Sequence, residues 1–203
     1  MHHFQALDQI FRYLKHCLDI DQFGTVLGGN DSPSDPALLQ IEAFGDADFA
    51  NDVDTRRSRF GTILKWGGST IGVSAGLHPT IDQSTSGAEL RTQNESGKDV
   101  LWFRQFLTCL GFPPSTPTPM HCDNQASIAI IVNDSLAKLS RYLDIKLLWL
   151  RELFKTKQIN PVYCRTSDMP ADGLTKPLPR VPFQKFRSSI GVIPLSSLSS
   201  HGI

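Results

Sequence analysis

Cysteine is scarce in this sequence and widely scattered. The four cysteines (Cys17, Cys109, Cys122 and Cys164) lie far apart, and no pair has the two-residue spacing of a zinc knuckle. This distribution also excludes a dense disulfide framework. We therefore expect reduced thiols that lie mostly in the core.

Long apolar runs are missing as well. No stretch approaches the roughly 18 consecutive apolar residues that a membrane-spanning helix requires. Residues 1–6 lack the basic start of a signal peptide, and no long apolar run follows them. We expect a protein of the cytoplasm or nucleus that has no membrane partner.

Net charge is zero for the whole chain but not for its halves. Residues 1–100 carry 8 Lys and Arg against 14 Asp and Glu, a difference of −6, and residues 101–203 carry 12 against 6, a difference of +6. The cations of the second half include Lys146, Arg151 and Lys176. A local basic surface is what nucleic-acid binding needs, although solvated helix faces would give the same pattern.

The periodicity of apolar residues predicts an α/β protein with one core. The predicted elements are an amphipathic helix over 3–18, a loop over 28–36, an antiparallel meander (41–49, 60–66, 69–75), a helix over 84–110, a strand over 118–122, a helix over 124–132, a helix capped by Ser140, a strand over 159–165 and one or two short helices. The chain length suits one domain with an appendage.

Four acidic residues occur where strands and helices begin or end. They are Asp46, Glu89, Asp123 and Asp172. In an α/β fold, the residues that bind ligands or act in catalysis commonly lie at the carboxyl ends of strands. Four carboxylates from separate elements could converge on two divalent cations, which together activate a water and stabilise the leaving oxygen in phosphodiester hydrolysis. Each residue taken alone could equally be an ordinary surface acid.

Several short motifs follow one another along the chain. They are Asp46-Ala47-Asp48-Phe49, the Asp52 to Ser58 loop with Arg56-Arg57, Leu101-Trp102-Phe103-Arg104, Cys122-Asp123-Asn124-Gln125, Ala171-Asp172 and Leu174-Thr175-Lys176-Pro177-Leu178. In this order they resemble the ribonuclease H domain of copia-type retrotransposon Pol polyproteins. The predicted element order is also that of the ribonuclease H-like fold, a mixed central sheet with an antiparallel meander and parallel strands, flanked by helices.

The resemblance implies a metal-dependent endoribonuclease that cleaves the RNA strand of RNA·DNA hybrids. By resemblance, Asp46 bridges two Mg²⁺ ions, Glu89 and Asp123 hold one ion, and Asp172 holds the other. Mn²⁺ can substitute, since both are bound by oxygen ligands. The partners implied are the hybrid and a reverse transcriptase domain supplied by another chain.

The 2′-hydroxyls of the RNA strand distinguish it from DNA in the minor groove of a hybrid. Asn124 and Gln125 follow Asp123 directly and could donate hydrogen bonds to such hydroxyls, while Asn124 could instead cap the next helix. Arg56, Arg57 and Lys176 are candidates for phosphate contacts.

Departures from the family pattern favour an alternative. The family has histidines around an Ile-Asp-Ile run, and residues 141–149 here contain none. A basic stretch ahead of the Glu89 helix is replaced by residues 74–78, and Gly97 and Gly173 replace better helix formers. The alternative is a catalytically inactive relic with at most passive nucleic-acid binding. A related nuclease of the same fold that acts on DNA is a third reading.

We expect three regions in the chain. Residues 1–40 would form a helix and linker that resemble the connection between reverse transcriptase and ribonuclease H, residues 41–191 the ribonuclease H-like domain, and residues 192–203 a disordered tail. The sequence lacks the Asp-Asp strand motif of a polymerase. We therefore expect a C-terminal fragment of a polyprotein that is not itself a polymerase.

Overall fold

The computed structural model describes Asp8, Phe11, Arg12 and residues 23–25, 40–133 and 144–194. The strands are β1 (Phe23–Thr25), β2 (Ile41–Asp48), β3 (Arg59–Trp66), β4 (Ser69–Leu77), β5 (Thr118–Cys122), β6 (Ile159–Tyr163) and β7 (Val192–Pro194). The helices are α1 (Thr85–Cys109), α2 (Gln125–Val132), α3 (Asp144–Lys155), α4 (Asp172–Thr175) and α5 (Arg180–Ser189), with a 3-10 turn at Thr166–Asp168.

The main sheet has five strands in the order β4-β3-β2-β5-β6. The first three pair antiparallel, and β5 pairs parallel with both β2 and β6. Gly67 and Gly68 both have positive φ and join β3 to β4 in a two-residue turn, which suits the right-handed twist of a hairpin. The predicted ribonuclease H-like fold is confirmed: a meander, then α1, β5, α2, α3, β6 and closing helices.

The two faces of the sheet bury different helices. On one face, Leu90, Val100 and Phe103 of α1 and Leu147 and Leu150 of α3 pack on the sheet in one large core. On the other face, a smaller cluster contains Ile63, Met169 and Ala171, with Phe186 of α5 packed against it. The sheet is therefore covered by helices on both faces. The carboxyl ends of β2 and β5 remain as the place where a functional site could form.

The helix α1 has a capped start and a close contact with α3 in its middle. The Ser84 hydroxyl accepts a hydrogen bond from Gly87 N at 3.0 Å and caps the first turn. Gly97, which the sequence suggests as a weak point, lies where α1 contacts α3. A Cβ at Gly97 would lie 3.0 Å from Cζ3 of Trp149, so the glycine permits the close approach of the two helices.

Two expectations are wrong. Of the three described cysteines only Cys122 is buried, while Cys109 is exposed, so the thiols are not mostly in the core. Arg151 does not belong to a basic surface, because it is buried and donates to the carbonyl oxygens of Ile130 and Asn133 at the end of α2. A helix C-terminus leaves such carbonyls without intrahelical partners, and the guanidinium satisfies them.

Some expectations lie mostly or wholly outside the described residues. They are the helix over 3–18, of which Asp8, Phe11 and Arg12 are described as helical, the Ser140 cap, and the tail over 192–203, of which Val192–Pro194 are described and form β7. The strands β1 and β7 pair antiparallel, which joins Phe23–Thr25 to Val192–Pro194. The domain boundaries at 40 and 191 stay predictions. Among the described residues, no helix combines the length and apolarity needed to cross a bilayer.

Candidate metal and nucleic-acid site

Asp46 and Asp123 are brought together by parallel strand pairing. Asp46 lies near the end of β2, and Asp123 directly follows β5. Ala43 pairs with Met120 in the parallel register, and each acid lies three residues beyond its member of that pair. The two acids therefore lie level at the same edge of the sheet, the edge that carries ligand sites in open α/β sheets.

Glu89 reaches the same edge from the first turns of α1. The helix lies close to β2 because residue 45 is glycine: a Cβ there would lie 2.9 Å from Ser96 Oγ and 3.0 Å from Gln93 Nε2. Glu89 Oε1 accepts a hydrogen bond from Ala47 N at 3.3 Å, one residue after Asp46. Glycine at one position thus places the second carboxylate beside the first.

Asp172 comes from the opposite face of the sheet, at the start of α4. Its carboxylate forms an ion pair with Lys176 at 2.5 Å. The same short helix ends at Thr175, whose hydroxyl donates to Asp46 Oδ2 at 2.7 Å. The helix α4 therefore delivers one acid to the site and contacts another.

One open cleft of about 520 Å³ collects these groups. Its lining contains the four predicted acids, the predicted Asn124, Gln125 and Lys176, and also Thr85, Tyr163 and Thr166. Arg56 and Arg57 do not line it; they lie in the loop between β2 and β3, where Asp52 orders the turn by accepting from Thr55 N and from Arg59 Nη2.

The carboxylates in the cleft repel one another. Burial, followed by the charges of Asp46 and Asp123, raises the pKa of Glu89 to about 9. Burial raises the pKa of Asp46 to about 6, with Asp172 and Asp123 adding to the effect and the Thr175 hydrogen bond opposing it. Desolvation and like charges both disfavour the ionised form. A bound cation would supply the missing countercharge, so the site fits divalent cations.

The donor set consists mainly of carboxylate oxygens, which hard cations prefer. Atoms of Glu89, Cys122 and Asp123 lie within 4.8 Å of one another. Burial above all raises the pKa of the Cys122 thiol, and its Sγ contacts Glu89 Oε2 at 3.8 Å as a donor. The thiol therefore serves as a weak hydrogen-bond partner rather than as a thiolate ligand.

Asn124 caps α2, because its Oδ1 accepts a hydrogen bond from Ser127 N at 3.0 Å. The predicted capping role of Asn124 is therefore present, and its Nδ2 could still donate to a ligand. Gln125 is exposed at the first helical position. Ser127 Oγ in turn donates to Ser86 O at 3.3 Å and ties the start of α2 to the start of α1.

Sequence reasoning missed two threonines that contact the acids. Thr166 Oγ1 donates to Asp123 Oδ2 at 2.8 Å, and Thr175 Oγ1 donates to Asp46 Oδ2. Thr175 lies in the Leu174 to Leu178 motif, so its motif marked it without giving it a role. Nothing in the sequence marks Thr166, because a threonine after a strand is an ordinary turn residue.

Comparison with known proteins finds relatives that match nearly the whole chain. No protein-family model matches it. It is 30% identical over 194 residues to the retrovirus-related Pol polyprotein from transposon TNT 1-94 of Nicotiana tabacum, a match that covers 94% of this chain and 14% of that polyprotein. The chain is homologous to transposon Pol polyproteins. The corresponding polyprotein from transposon RE2 of Arabidopsis thaliana is 31% identical over 191 residues, covering 94% of this chain and 12% of the polyprotein.

This chain thus spans only about one seventh or less of the length of the curated relatives that it matches. The predicted resemblance to retrotransposon Pol polyproteins is confirmed, and the copia-type assignment stays a prediction. Among solved structures, LC11-RNase H1 in complex with RNA/DNA hybrid is similar with a TM-score of 0.48 and 12% identity, covering 66% of this chain and 93% of that one.

Proposed function

We propose that this chain is a metal-dependent endoribonuclease that cleaves the RNA strand of RNA·DNA hybrids and leaves a 3′-hydroxyl and a 5′-phosphate. The observation that carries the proposal is the convergence of Asp46, Glu89, Asp123 and Asp172 on one open cleft. The ribonuclease H-like fold and the homology to Pol polyproteins support the same activity. The polymerase that makes the hybrid would be supplied by another chain.

The four carboxylates would hold two Mg²⁺ ions, or Mn²⁺ in their place. Asp46 would contribute to both ions, Glu89 and Asp123 to one, and Asp172 to the other. Two bound cations would supply an activated water and stabilise negative charge on the leaving oxygen. Because Lys176 forms an ion pair with Asp172, its ammonium lies at the edge of the cleft, where a backbone phosphate would approach.

The remaining polar groups would orient the hybrid. Asn124 Nδ2 and the exposed Gln125 amide are donors and acceptors beside Asp123, which suits contacts to 2′-hydroxyls. Arg56 and Arg57 lie outside the cleft, on a loop that begins just after Asp48, and would contact phosphates farther along the duplex. Such contacts to the backbone and to hydroxyls would make cleavage largely independent of sequence.

The relic alternative is not favoured. Gly97 and Gly173 both lie where a Cβ would meet another side chain, Trp149 in one case and Phe186 in the other. Close packing thus explains both glycines, and neither is evidence that the domain has lost its function. The four acids are also surrounded by a folded framework of hydrogen bonds, which random drift would not be expected to preserve.

A cleavage assay tests the proposal. The substrate is a labelled RNA·DNA hybrid with Mg²⁺, and the variant is Asp123→Asn, which keeps the shape of the side chain and removes its charge. Metal contacts stabilise the transition state by several kcal/mol, so the variant should cleave on the order of 10³-fold more slowly. Glu152→Gln, the same change at an exposed acid of α3, should cleave like the unmodified chain.

Three substrates distinguish the hybrid ribonuclease from the inactive relic and from a DNA nuclease. Cleavage of the hybrid but not of duplex DNA or single-stranded RNA is the expected result. Equal background cleavage by the unmodified chain and Asp123→Asn would reject the enzyme in favour of the relic. Faster cleavage of duplex DNA than of hybrid would assign a DNA nuclease of the same fold.

A further inference from the structure

The Thr175 hydroxyl contacts Asp46 in the interior of the protein. Thr175 is 2% exposed, and Asp46 is 5% exposed. The hydroxyl donates to Asp46 Oδ2 at 2.7 Å and lies 3.1 Å from the carbonyl oxygen of Asp172. Since a hydroxyl has one proton, the shorter contact to the carboxylate is the stronger of the two.

The helix that carries Thr175 is held in place from two sides. A Cβ at Gly61 of β3 would lie 2.6 Å from Leu174 Cβ and 2.8 Å from Ala171 O, so α4 rests directly on the sheet. A Cβ at Gly173 would lie 2.3 Å from Cδ2 of Phe186, so α5 covers α4 from the other side. The threonine hydroxyl is therefore presented to Asp46 from a fixed position.

One hydrogen bond to Oδ2 restricts the rotation of the Asp46 carboxylate. Among the described residues, no second side chain donates to this carboxylate, so its orientation depends on Thr175. Asp172 belongs to the same four-residue helix as Thr175. The contact thus fixes the position of one acid relative to the helix that supplies another.

We propose that Thr175 is a positioning residue that orients Asp46 for cation binding and couples it to the helix of Asp172. This inference rests on the proposed function, because it concerns the same cations. Partners that orient a metal ligand contribute about 10–100-fold in metal affinity. The contact of Thr166 with Asp123 differs, since Thr166 is exposed and water can replace its hydroxyl.

The experiment measures Mn²⁺ affinity by isothermal titration calorimetry, without any nucleic acid. Thr175→Val keeps the branched shape and removes the donor, and we expect at least about 10-fold weaker binding. Thr175→Ser keeps the donor and should bind within about twofold of the unmodified chain, since the hydroxyl that matters is restored. If Thr175→Val does not fold, Thr175→Cys takes its place, because a thiol of similar size is a weak donor.

A matched control is Thr118→Val at the opposite end of the sheet. Thr118 is also 2% exposed, and its hydroxyl accepts from Arg104 at 3.0 Å, so the change removes a buried hydroxyl away from the cleft. Its Mn²⁺ affinity should be unchanged.

Equal affinity of Thr175→Val and the unmodified chain would overturn the inference, as would equally weak binding by Thr175→Ser and Thr175→Val. Failure of the folded, unmodified chain to bind Mn²⁺ would instead reject the metal-dependent function, and the inference with it. The two failures are therefore distinguishable in one set of titrations.

Discussion

The helix α1 buries an ionisable side chain near each of its ends, and the two have opposite surroundings. Glu89 lies in the first turns, beside the carboxyl ends of β2 and β5. Arg104 lies near the last turn and contacts Thr118, where β5 begins. One helix therefore spans the sheet from the cleft to the opposite ends of the strands, with a buried carboxyl group near one end and a buried guanidinium near the other.

The chain itself satisfies Arg104. Its guanidinium donates to Gln158 Oε1 at 3.0 Å, Thr118 Oγ1 at 3.0 Å, Thr116 O at 2.8 Å and Pro114 O at 3.3 Å. These acceptors hold the proline-rich loop against α1. A buried cation surrounded by fixed oxygen acceptors is a structural element, since four of its five N–H donors are satisfied without any ligand.

Glu89 has the reverse surroundings. It accepts from Ala47 N and contacts the Cys122 thiol, and its charged neighbours are the carboxylates of Asp46 and Asp123. Burial alone therefore does not mark a functional site. Arg104 and Glu89 are both buried, and only Glu89 has like charges where countercharges would be expected.

The largest effect concerns the pH dependence of stability in the metal-free protein. Glu89 holds its proton in the folded chain up to about pH 9, whereas its ordinary value is 4.5. Between these values unfolding releases a proton, so stability falls as pH rises. Above pH 7, where Asp46 with its pKa of about 6 has largely titrated, Glu89 should lower the free energy of unfolding by up to about 1.4 kcal/mol per pH unit.

Urea unfolding in EDTA between pH 7 and 9 measures this slope. Glu89→Gln cannot ionise, so the variant should show a much flatter profile. Burial lowers the pKa of His78, which adds stability with rising pH mainly below pH 7, so its contribution to the chosen window is small. A flat profile for the unmodified chain, or an undiminished slope in the variant, would contradict the contrast between the two ends of α1.

The second effect is at the other end of the helix. Arg104→Met fills similar space and leaves the loop carbonyls without their donor, so we expect a loss of about 2 kcal/mol in the free energy of unfolding. Arg104→Lys retains the charge but not the planar fork, and its loss should be smaller. Mn²⁺ affinity should not change in either variant. A change in affinity as large as the change in stability would show that the two ends are not independent.

Much of the cleft could be predicted because it depends on local signals. Asp46 and Asp123 are polar residues at strand ends, and Glu89 follows a capped helix start, so pattern and motif locate them. The contacts of Arg151, Arg104 and Thr175 could not be predicted, because each joins a side chain to residues outside its own helix. A basic residue on a helix looks the same in sequence whether it meets solvent or the carbonyls at the end of a neighbouring helix.

Glycines are the other point at which sequence reasoning is incomplete. Propensity treats Gly97 as a weakness in α1 and Gly173 as a poor helix former. The structure gives both a reason, since each lies where a Cβ would contact an aromatic side chain. Propensity describes an isolated helix, and these helices are packed against others.

The smallest effect concerns the middle of α1, between Glu89 and Arg104, where packing against Trp149 explains Gly97. Gly97→Ala should gain about 1 kcal/mol in helix propensity. The added Cβ would lie 3.0 Å from Cζ3 and 3.3 Å from Cη2 of Trp149, and that crowding should offset the gain. We therefore expect a net change of less than about 0.5 kcal/mol in urea unfolding, because overpacking costs are of the same order as the propensity gain. Pairing the change with Trp149→Leu removes the crowding, so in that background the alanine should stabilise the chain by most of its propensity. A full stabilisation by Gly97→Ala alone would mean that α3 does not restrict this position, and that the glycine is a defect of the helix after all.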